Sequence, residues 1–299
     1  MFIADTHADT LFAMGVAHTL HPAITPERLR RGGVTLQTLA LWTGPQGNDG
    51  DVAGIIQAEL EALPTLTAAG LKQVNGPDEA IEGECAFMLS VEGGEVFEAG
   101  LHTVADFRRL GVRIAALTWN HPNAIGQPAK SGSDDGLTSY GIQVVKEMQR
   151  LGIAADVSHL NKAGFWDLFA KGDRPPMASH SCVRALCEHF RNLDDDQLRA
   201  MIQYGGYVGV NFYPAFLRED GQADVRTVAE HIDYICQLGG GEIVGLGSDF
   251  DGIECAPRNL EHPGDLPNLW NELRRMGYSE AAIEGIAGGN LRDYFRRLA

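Results

Sequence analysis

Short apolar runs alternate along this chain with longer amphipathic stretches, and the alternation predicts its elements. The start, Met1-Phe2-Ile3-Ala4, reads as a strand that ends on His7 and Asp9. Further β-rich runs follow at Val34–Trp42, Cys85–Val91, Val112–Trp119, Ile153–His159, Pro176–His180, Tyr207–Tyr213 and Ile243–Asp249. Between them the apolar spacing becomes helical. Thr25-Pro26-Glu27 supplies a cap, a proline at the first helical position and an acid in the first turn, for a short helix stopped by Gly32-Gly33. Asp51 to Ala69 carries Ile55, Ile56, Leu60, Leu63 and Leu66 on helical spacing. Helices are also predicted over Val104–Leu110, Ser139–Leu151, Lys162–Ala170, from the Asp194-Asp195-Asp196 cap to Tyr204, over Val225–Leu238, and from Leu266 onward. The polar, glycine-rich loop from Asn120 to Gly136 is long for a connection, which marks it as a candidate active-site cover.

Several of these strands are near-continuous apolar runs, the mark of a parallel sheet covered on both faces. Eight strand–helix units in about 250 residues is the arithmetic of an α/β chain folded as a (β/α)8 TIM barrel. A doubly wound open sheet is the rival, but no G-x-G-x-x-G follows the first strand. No linker or low-complexity segment divides the chain, so residues 1–299 are expected to form one barrel domain.

Composition narrows the function further. The chain is 44% hydrophobic and 21% charged, ordinary for a soluble globular enzyme. Its formal charge of -16 argues against nucleic acid or an anionic membrane as partner, since both call for clustered Lys and Arg. Five cysteines without a C-x-x-C pair point to a reduced protein with no disulfide framework. There is no signal-peptide pattern and no apolar run long enough to span a bilayer, so a cytoplasmic protein is expected.

Candidate chemistry gathers at the strand ends. The first strand ends on His7 and Asp9, the third on Glu92, the fifth on His159, the sixth on His180 and the eighth on Asp249. Residues two apart on an extended strand share a face, so His7 and Asp9 are expected to point together. In a (β/α)8 barrel all strand C-termini converge on one rim, where active sites sit. Three imidazoles and three carboxylates at one mouth suit two divalent metals bridged by a carboxylate. Two metals roughly 3.5–4 Å apart can hold a hydroxide and polarise a carbonyl. Each residue has a plainer reading. His159 and His180 could be satisfied rim residues, Glu92 a helix cap, and Asp249 with Asp251 a turn of the Asp-x-Asp-Gly kind. A calcium loop is discounted because the rest of an EF-hand is missing. His18, His21, His102, His189, His231 and His262 read as surface residues of loops and helices, whereas His121 lies just past the fourth strand. No G-x-S-x-G elbow occurs, and Cys182 reads as packing rather than as a nucleophile.

Eight stretches resemble, in order, the membrane (renal) dipeptidase family of binuclear zinc peptidases among the amidohydrolase-like barrels. They are Asp5-Thr6-His7-Ala8-Asp9, Ser90-Val91-Glu92-Gly93-Gly94, Ala155-Asp156-Val157-Ser158-His159, Ala178-Ser179-His180-Ser181, Phe190-Arg191-Asn192-Leu193, Val210-Asn211-Phe212-Tyr213, Gly247-Ser248-Asp249-Phe250-Asp251-Gly252 and Gly289-Asn290-Leu291-Arg292. The resemblance implies that His7 and Asp9 bind one zinc, His159 and His180 the other, and Glu92 bridges them. Asp249 would hold the bridging water and pass its proton to the leaving amine. Arg191 would grip the terminal carboxylate of the substrate, and Tyr213 would line the pocket. The family commonly has a His directly after Leu-Thr at the end of the fourth strand. Here Leu117-Thr118 is followed by Trp119, and same-face spacing would let His121 substitute if the chain stays extended.

The resulting expectation is a metal-dependent dipeptidase acting on L-L and L-D dipeptides through a hydroxide bridging two zinc ions, with a homodimer implied by the resemblance. Manganese or cobalt occupancy stays open. The alternatives are a di-metal hydrolase of N-acyl amino acids, lactones or cyclic amides on the same barrel, and a non-catalytic metal-binding or sensory protein.

Overall fold

A computed structural model describes residues 1–298. Its strands are β1 (Ala4–Asp5), β2 (Leu36–Trp42), β3 (Lys72–Gln73), β4 (Ala86–Glu92), β5 (Val112–Ala116), β6 (Ala154–Asp156), β7 (Met177–Ala178), β8 (Tyr207–Val210) and β9 (Val244–Leu246). Each pairing between them is parallel, and β1 joins both β2 and β9 while β2 joins β4, so eight of them close a barrel. Helices intervene: α1 (Thr10–Gly15), α2 (Pro26–Gly32), α3 (Val52–Ala68), α4 (His102–Leu110), α5 (Ser139–Arg150), α6 (Lys162–Lys171), α7 (Asp195–Tyr204), α8 (Pro214–Leu217) and α9 (Val225–Ile235). After β9 come α10 (Leu266–Arg275), α11 (Glu280–Glu284) and α12 (Asn290–Leu298). The expected (β/α)8 barrel is thus the fold.

Sequence patterning missed β3 because its two residues are polar and exposed. It pairs with the start of β4, where β5 has yet to join; β5 pairs from Leu89 onward, with a register shift between Leu89 and Ser90. The predicted caps do hold the helix starts. Thr25 accepts from the Arg28 N–H, Asp51 from Gly54, and Asp194 and Gln197 form a reciprocal capping box.

Strand parity explains how the barrel aims its chemistry. Along β4, Ala86 and Met88 pack in an inner cluster with Ile114, Met177 and Tyr207, while Phe87, Leu89 and Val91 pack outward among the helices. Continuing the inward set by twos gives Ser90 and then Glu92, which therefore reaches the interior at the C-terminal rim. The opposite end is plugged by α12: Tyr294 is fully buried and donates to the Pro175 carbonyl at 2.9 Å.

Candidate metal centre

Six residues from five separate turns of the barrel, His7 and Asp9 sharing one, meet at its C-terminal mouth. His7 Nε2 lies 3.4 Å from Asp9 Oδ2, 3.6 Å from Asp249 Oδ1 and 3.8 Å from Glu92 Oε2. The other oxygen of Glu92, Oε1, lies 3.0 Å from His159 Nε2 and 3.2 Å from His180 Nε2. The His7 and His180 rings stack at 3.8 Å. Glu92 is therefore the centre of the set, with one oxygen turned to each half. Two triads, His7–Glu92–His180 and His7–Asp9–Asp249, each offer ligand atoms within 4.8 Å of one another.

The backbone route differs in part from the expectation. β1 stops at Asp5, and Asp9 is the cap residue of α1 with φ -95° and ψ 29°. His7 and Asp9 meet on a turn beyond the strand, not as neighbours on one strand face. His159 and Asp249 adopt left-handed φ of 68° and 65°, costly for non-glycine residues and seen here where the chain must bend sharply to aim a side chain. At Gly252 a Cβ would collide with Asp9 Oδ2 and Asp249 Oδ1, so only glycine lets the loop after β9 approach these carboxylates.

A second layer fixes the imidazoles. His159 Nδ1 donates to Asn120 Oδ1 at 3.2 Å. Ser179 Oγ donates to Asp156 Oδ2 and lies 2.8 Å from His180 Nδ1, from which it accepts. Both rings thus spend Nδ1–H on protein acceptors and present Nε2 lone pairs to Glu92. Asp156 Oδ1 also accepts from the N–H groups of Ser158 and Ser179, at 2.8 and 2.9 Å, tying β6 to β7. Asp5 repeats the device across β1 and β9 by accepting from Ser248 N at 2.8 Å and from its hydroxyl. Asn211 Nδ2 donates to Asp249 Oδ2 at 2.8 Å. Sequence reasoning assigned no role to Asn120, Asp156, Ser179 or Asn211; the signal was a polar residue next to, or just before, each suspect.

Electrostatically, these carboxylates and imidazoles crowd together with a shortage of positive charge. Desolvation drives the Glu92 carboxyl well above its usual range, although His7 pulls it down, and Asp9 and Asp249 push it further up. Burial opposes charge on His7, but Glu92 and Asp9 outweigh it and raise that imidazole to about 10. Burial, with Asp9 adding to it against His7, raises Asp249 to about 7. Among the described residues, His7 Nε2, His180 Nε2 and Asp9 Oδ1 are buried without a hydrogen-bond partner. Buried polar atoms left without partners are costly, and a bound cation would meet them here. The nitrogen and oxygen donors suit zinc or a similar divalent ion.

The centre opens into a cavity of about 280 Å³ that Asp9, Glu92, His159 and Asp249 line at its floor. That is small among ligand sites, which span roughly 300–1,000 Å³. Phe12, Trp42 and Trp119 form one wall, and Tyr213, Phe216 and Glu254 stand on another side. Tyr213 hydrogen-bonds Glu254, which with burial raises its hydroxyl to about 12.

Other expected site residues fall elsewhere. His121 is not in the cavity wall: its Nε2 is 2.9 Å from the Pro45 carbonyl, because the chain turns away after Trp119. Arg191 is buried at 4% exposure and lines a neighbouring cavity with Asn161 and Asn192. Its guanidinium lies over the Phe216 ring at 5.5 Å and donates to the His180 carbonyl, which sets it between the two cavities. Of the loop from Asn120 to Gly136, only Asn120 lines the centre; Gly132, Ser133 and Asp134 border the neighbouring cavity, so this loop lies beside the mouth. Asp251 is structural, accepting from Thr10 Oγ1 at 2.7 Å and from Ile24 N at 3.3 Å. His231 overturns the surface reading: it is 1% exposed, accepts from Val183 N at 3.1 Å and donates to the Leu217 carbonyl at 3.0 Å. Cys182 is buried, with its thiol pushed up by desolvation and donating to the Asn211 carbonyl, which fits packing. No helix among the described residues is long and apolar enough to cross a membrane.

Known proteins resemble the chain over most of its length. An uncharacterized dipeptidase of Schizosaccharomyces pombe is 38% identical over 233 residues, covering 74% of this chain and 56% of that protein. Dipeptidase 3 of Rattus norvegicus is 30% identical over 281 residues, covering 91% of this chain and 58% of that protein, so the chain spans little more than half the length of these relatives. A crystal structure of a metallopeptidase from Rhodobacter sphaeroides, liganded with a phosphinate mimic of the dipeptide L-Ala-D-Ala, superposes with a TM-score of 0.88 at 26% identity, over 100% of this chain and 99% of that one. With the membrane dipeptidase family (peptidase family M19) matched across residues 1–297, the chain belongs to that family of hydrolytic metallopeptidases.

Proposed function

We propose that this protein is a two-zinc dipeptidase that cleaves L-L and L-D dipeptides bearing a free C-terminal carboxylate. The observation that carries the reading is the placement of Glu92, with Oε2 toward His7 and Oε1 toward His159 and His180. His7 and Asp9 would hold one ion, His159 and His180 the other, with Glu92 between them. Bound there, the ions would supply Lewis-acid polarisation of the scissile carbonyl and an activated water at neutral pH. Asp249 is the proton carrier: Asn211 fixes its Oδ2, leaving Oδ1 on the inner side of the site to accept a proton and deliver it to the leaving amine. Arg191 supplies the cation for the substrate carboxylate from beside Phe216, and its unpartnered Nε keeps one donor in reserve. Tyr213 walls the same side. The dipeptide mimic in the Rhodobacter sphaeroides structure supports small L-D substrates as the class.

The test is hydrolysis of L-L, L-D and D-L dipeptides, their C-terminal amides, an N-acetyl amino acid and a lactone, each with and without chelator. Chelator-sensitive cleavage of free dipeptides over amides is expected, and Asp249→Asn should abolish turnover while keeping bound zinc. Silence on every dipeptide with zinc bound, and cleavage of the lactone or N-acetyl compound instead, would replace this reading with the broader di-metal hydrolase one.

A further inference from the structure

The walls of the cavity differ around the barrel. Strands β1, β2, β4 and β5 are consecutive neighbours and form one half; β6, β7, β8 and β9 form the other. The groups proposed for the substrate's C-terminal end follow strands of the second half, Arg191 after β7 and Tyr213 after β8. The first half presents three aromatic rings beside Asn120, whereas the second half contributes one phenyl ring, Phe216, beside Tyr213. Phe12 follows β1, Trp42 ends β2 and Trp119 follows β5. Phe12 and Trp42 meet edge to face at 4.5 Å, and Trp42 and Trp119 do so at 4.8 Å, so the three form a continuous plate that lines the cavity. Trp119 also lies 6.0 Å from the His159 ring, which brings the plate to the edge of the proposed metal pair.

Apart from the indole N–H groups, of which that of Trp42 is buried without a partner among the described residues, the surface these three residues offer is apolar ring. Packing also holds it in place. The Trp42 backbone N–H donates to Glu59 Oε1 at 3.1 Å, anchoring the end of β2 to α3. Rigid aromatic surface of this kind recognises apolar and aromatic side chains by area and by ring–ring contact. With the carboxylate held on the Arg191 side, the residue beyond the scissile carbonyl extends toward the opposite half.

We infer that Phe12, Trp42 and Trp119 form a specificity subsite for a large apolar or aromatic side chain on the N-terminal residue of the dipeptide. The inference rests on the dipeptidase reading for its orientation. Trp119 is the deciding member, because it joins the Phe12–Trp42 pair to the His159 ring at the edge of the site. Burying a phenylalanine side chain against the plate favours it over glycine by roughly thirtyfold, the size expected for one buried aromatic side chain.

Two measurements test it together. The first is kcat/KM over Gly-Ala, Ala-Ala, Leu-Ala and Phe-Ala, beside Ala-Gly, Ala-Leu and Ala-Phe. The second is binding of phosphinate dipeptide analogues with a benzyl group or hydrogen in place of the N-terminal side chain, read by calorimetry on the zinc-loaded protein. A rise of about thirtyfold from Gly-Ala to Phe-Ala, matched in the analogues, is expected. Trp119→His and Trp119→Ala should collapse that ratio to within a few-fold, while Trp119→Phe retains most of it. A flat N-terminal series, or a ratio unchanged in Trp119→His, overturns the subsite; so does a preference that moves with Trp119 but tracks the C-terminal residue. If no dipeptide is cleaved but the benzyl analogue still binds thirtyfold tighter and loses this in Trp119→His, the subsite stands and the dipeptidase reading falls.

Discussion

Replacing Asp156 by Asn should weaken zinc at the His159–His180 end of the centre without loosening the barrel. Asp156 Oδ1 accepts two backbone N–H groups, and the asparagine carbonyl can keep both. The change falls on Oδ2, which accepts from the Ser179 hydroxyl. An amide NH2 there can only donate. Ser179 Oγ then turns its proton toward His180 Nδ1, 2.8 Å away, and His180 is driven to the tautomer that carries its proton on Nε2. Nε2 is the atom facing Glu92 at 3.2 Å, and once protonated it cannot donate a lone pair to a metal. Outer-layer partners of ligating histidines are typically worth 10–100-fold in metal affinity, or about 1.4–2.7 kcal/mol. Competition of the apoprotein against a chromophoric zinc chelator, at fixed pH, reads this directly, and a thermal melt of the apo forms checks the fold. Ser179→Ala is the contrast: it removes the relay without imposing the wrong tautomer and should cost less than Asp156→Asn. Zinc affinities of Asp156→Asn within threefold of the wild type, or a larger loss in Ser179→Ala, would refute the tautomer argument.

Gly252→Ala places a methyl group against Asp9 Oδ2 and Asp249 Oδ1, so one carboxylate or the loop must move. A loss on the order of 100-fold in kcat/KM is expected from displacement of that size, together with weaker zinc binding; an unchanged rate would show that the loop yields freely. His231 gives the acid limb of stability. Desolvation lowers its imidazole from 6.5 to about 4, against the Leu217 hydrogen bond, so the folded state binds the proton less well than the unfolded one. Its contribution is complete above pH 6.5 and is lost as pH falls from 6.5 toward 4, by about 2–3 kcal/mol at pH 4.5. Urea unfolding at pH 7.5 and 4.5 should show a drop smaller by that amount in His231→Gln, and an equal drop in both proteins would place the acid sensitivity elsewhere.

The sequence by itself determined the barrel and the identity of the site's suspects. Apolar periodicity is a local property, and eight strand–helix alternations permit few topologies other than closure in a parallel ring. Closure then carries Glu92, which ends β4, to the rim, and brings His159, His180 and Asp249 there on the turns two or three residues past β6, β7 and β9, where the sequence pattern predicts the strands themselves to end. Parity along β4 was enough to send Glu92 inward. Only the tertiary structure decided what lies beyond the last strand hydrogen bond. His7 and Asp9 meet on a turn fixed by Asp5, which binds Ser248 some 240 positions away, and not by strand alternation. His121 turns to the Pro45 carbonyl and Arg191 sits between two cavities, because loop direction is set by partners distant in sequence. His231 lies on α9 with an acceptor and a donor from two other segments, so its helical spacing carried no sign of burial. The tautomers of His159 and His180, chosen by Asn120 and by the Asp156–Ser179 relay, likewise exist only once separate strand ends stand side by side.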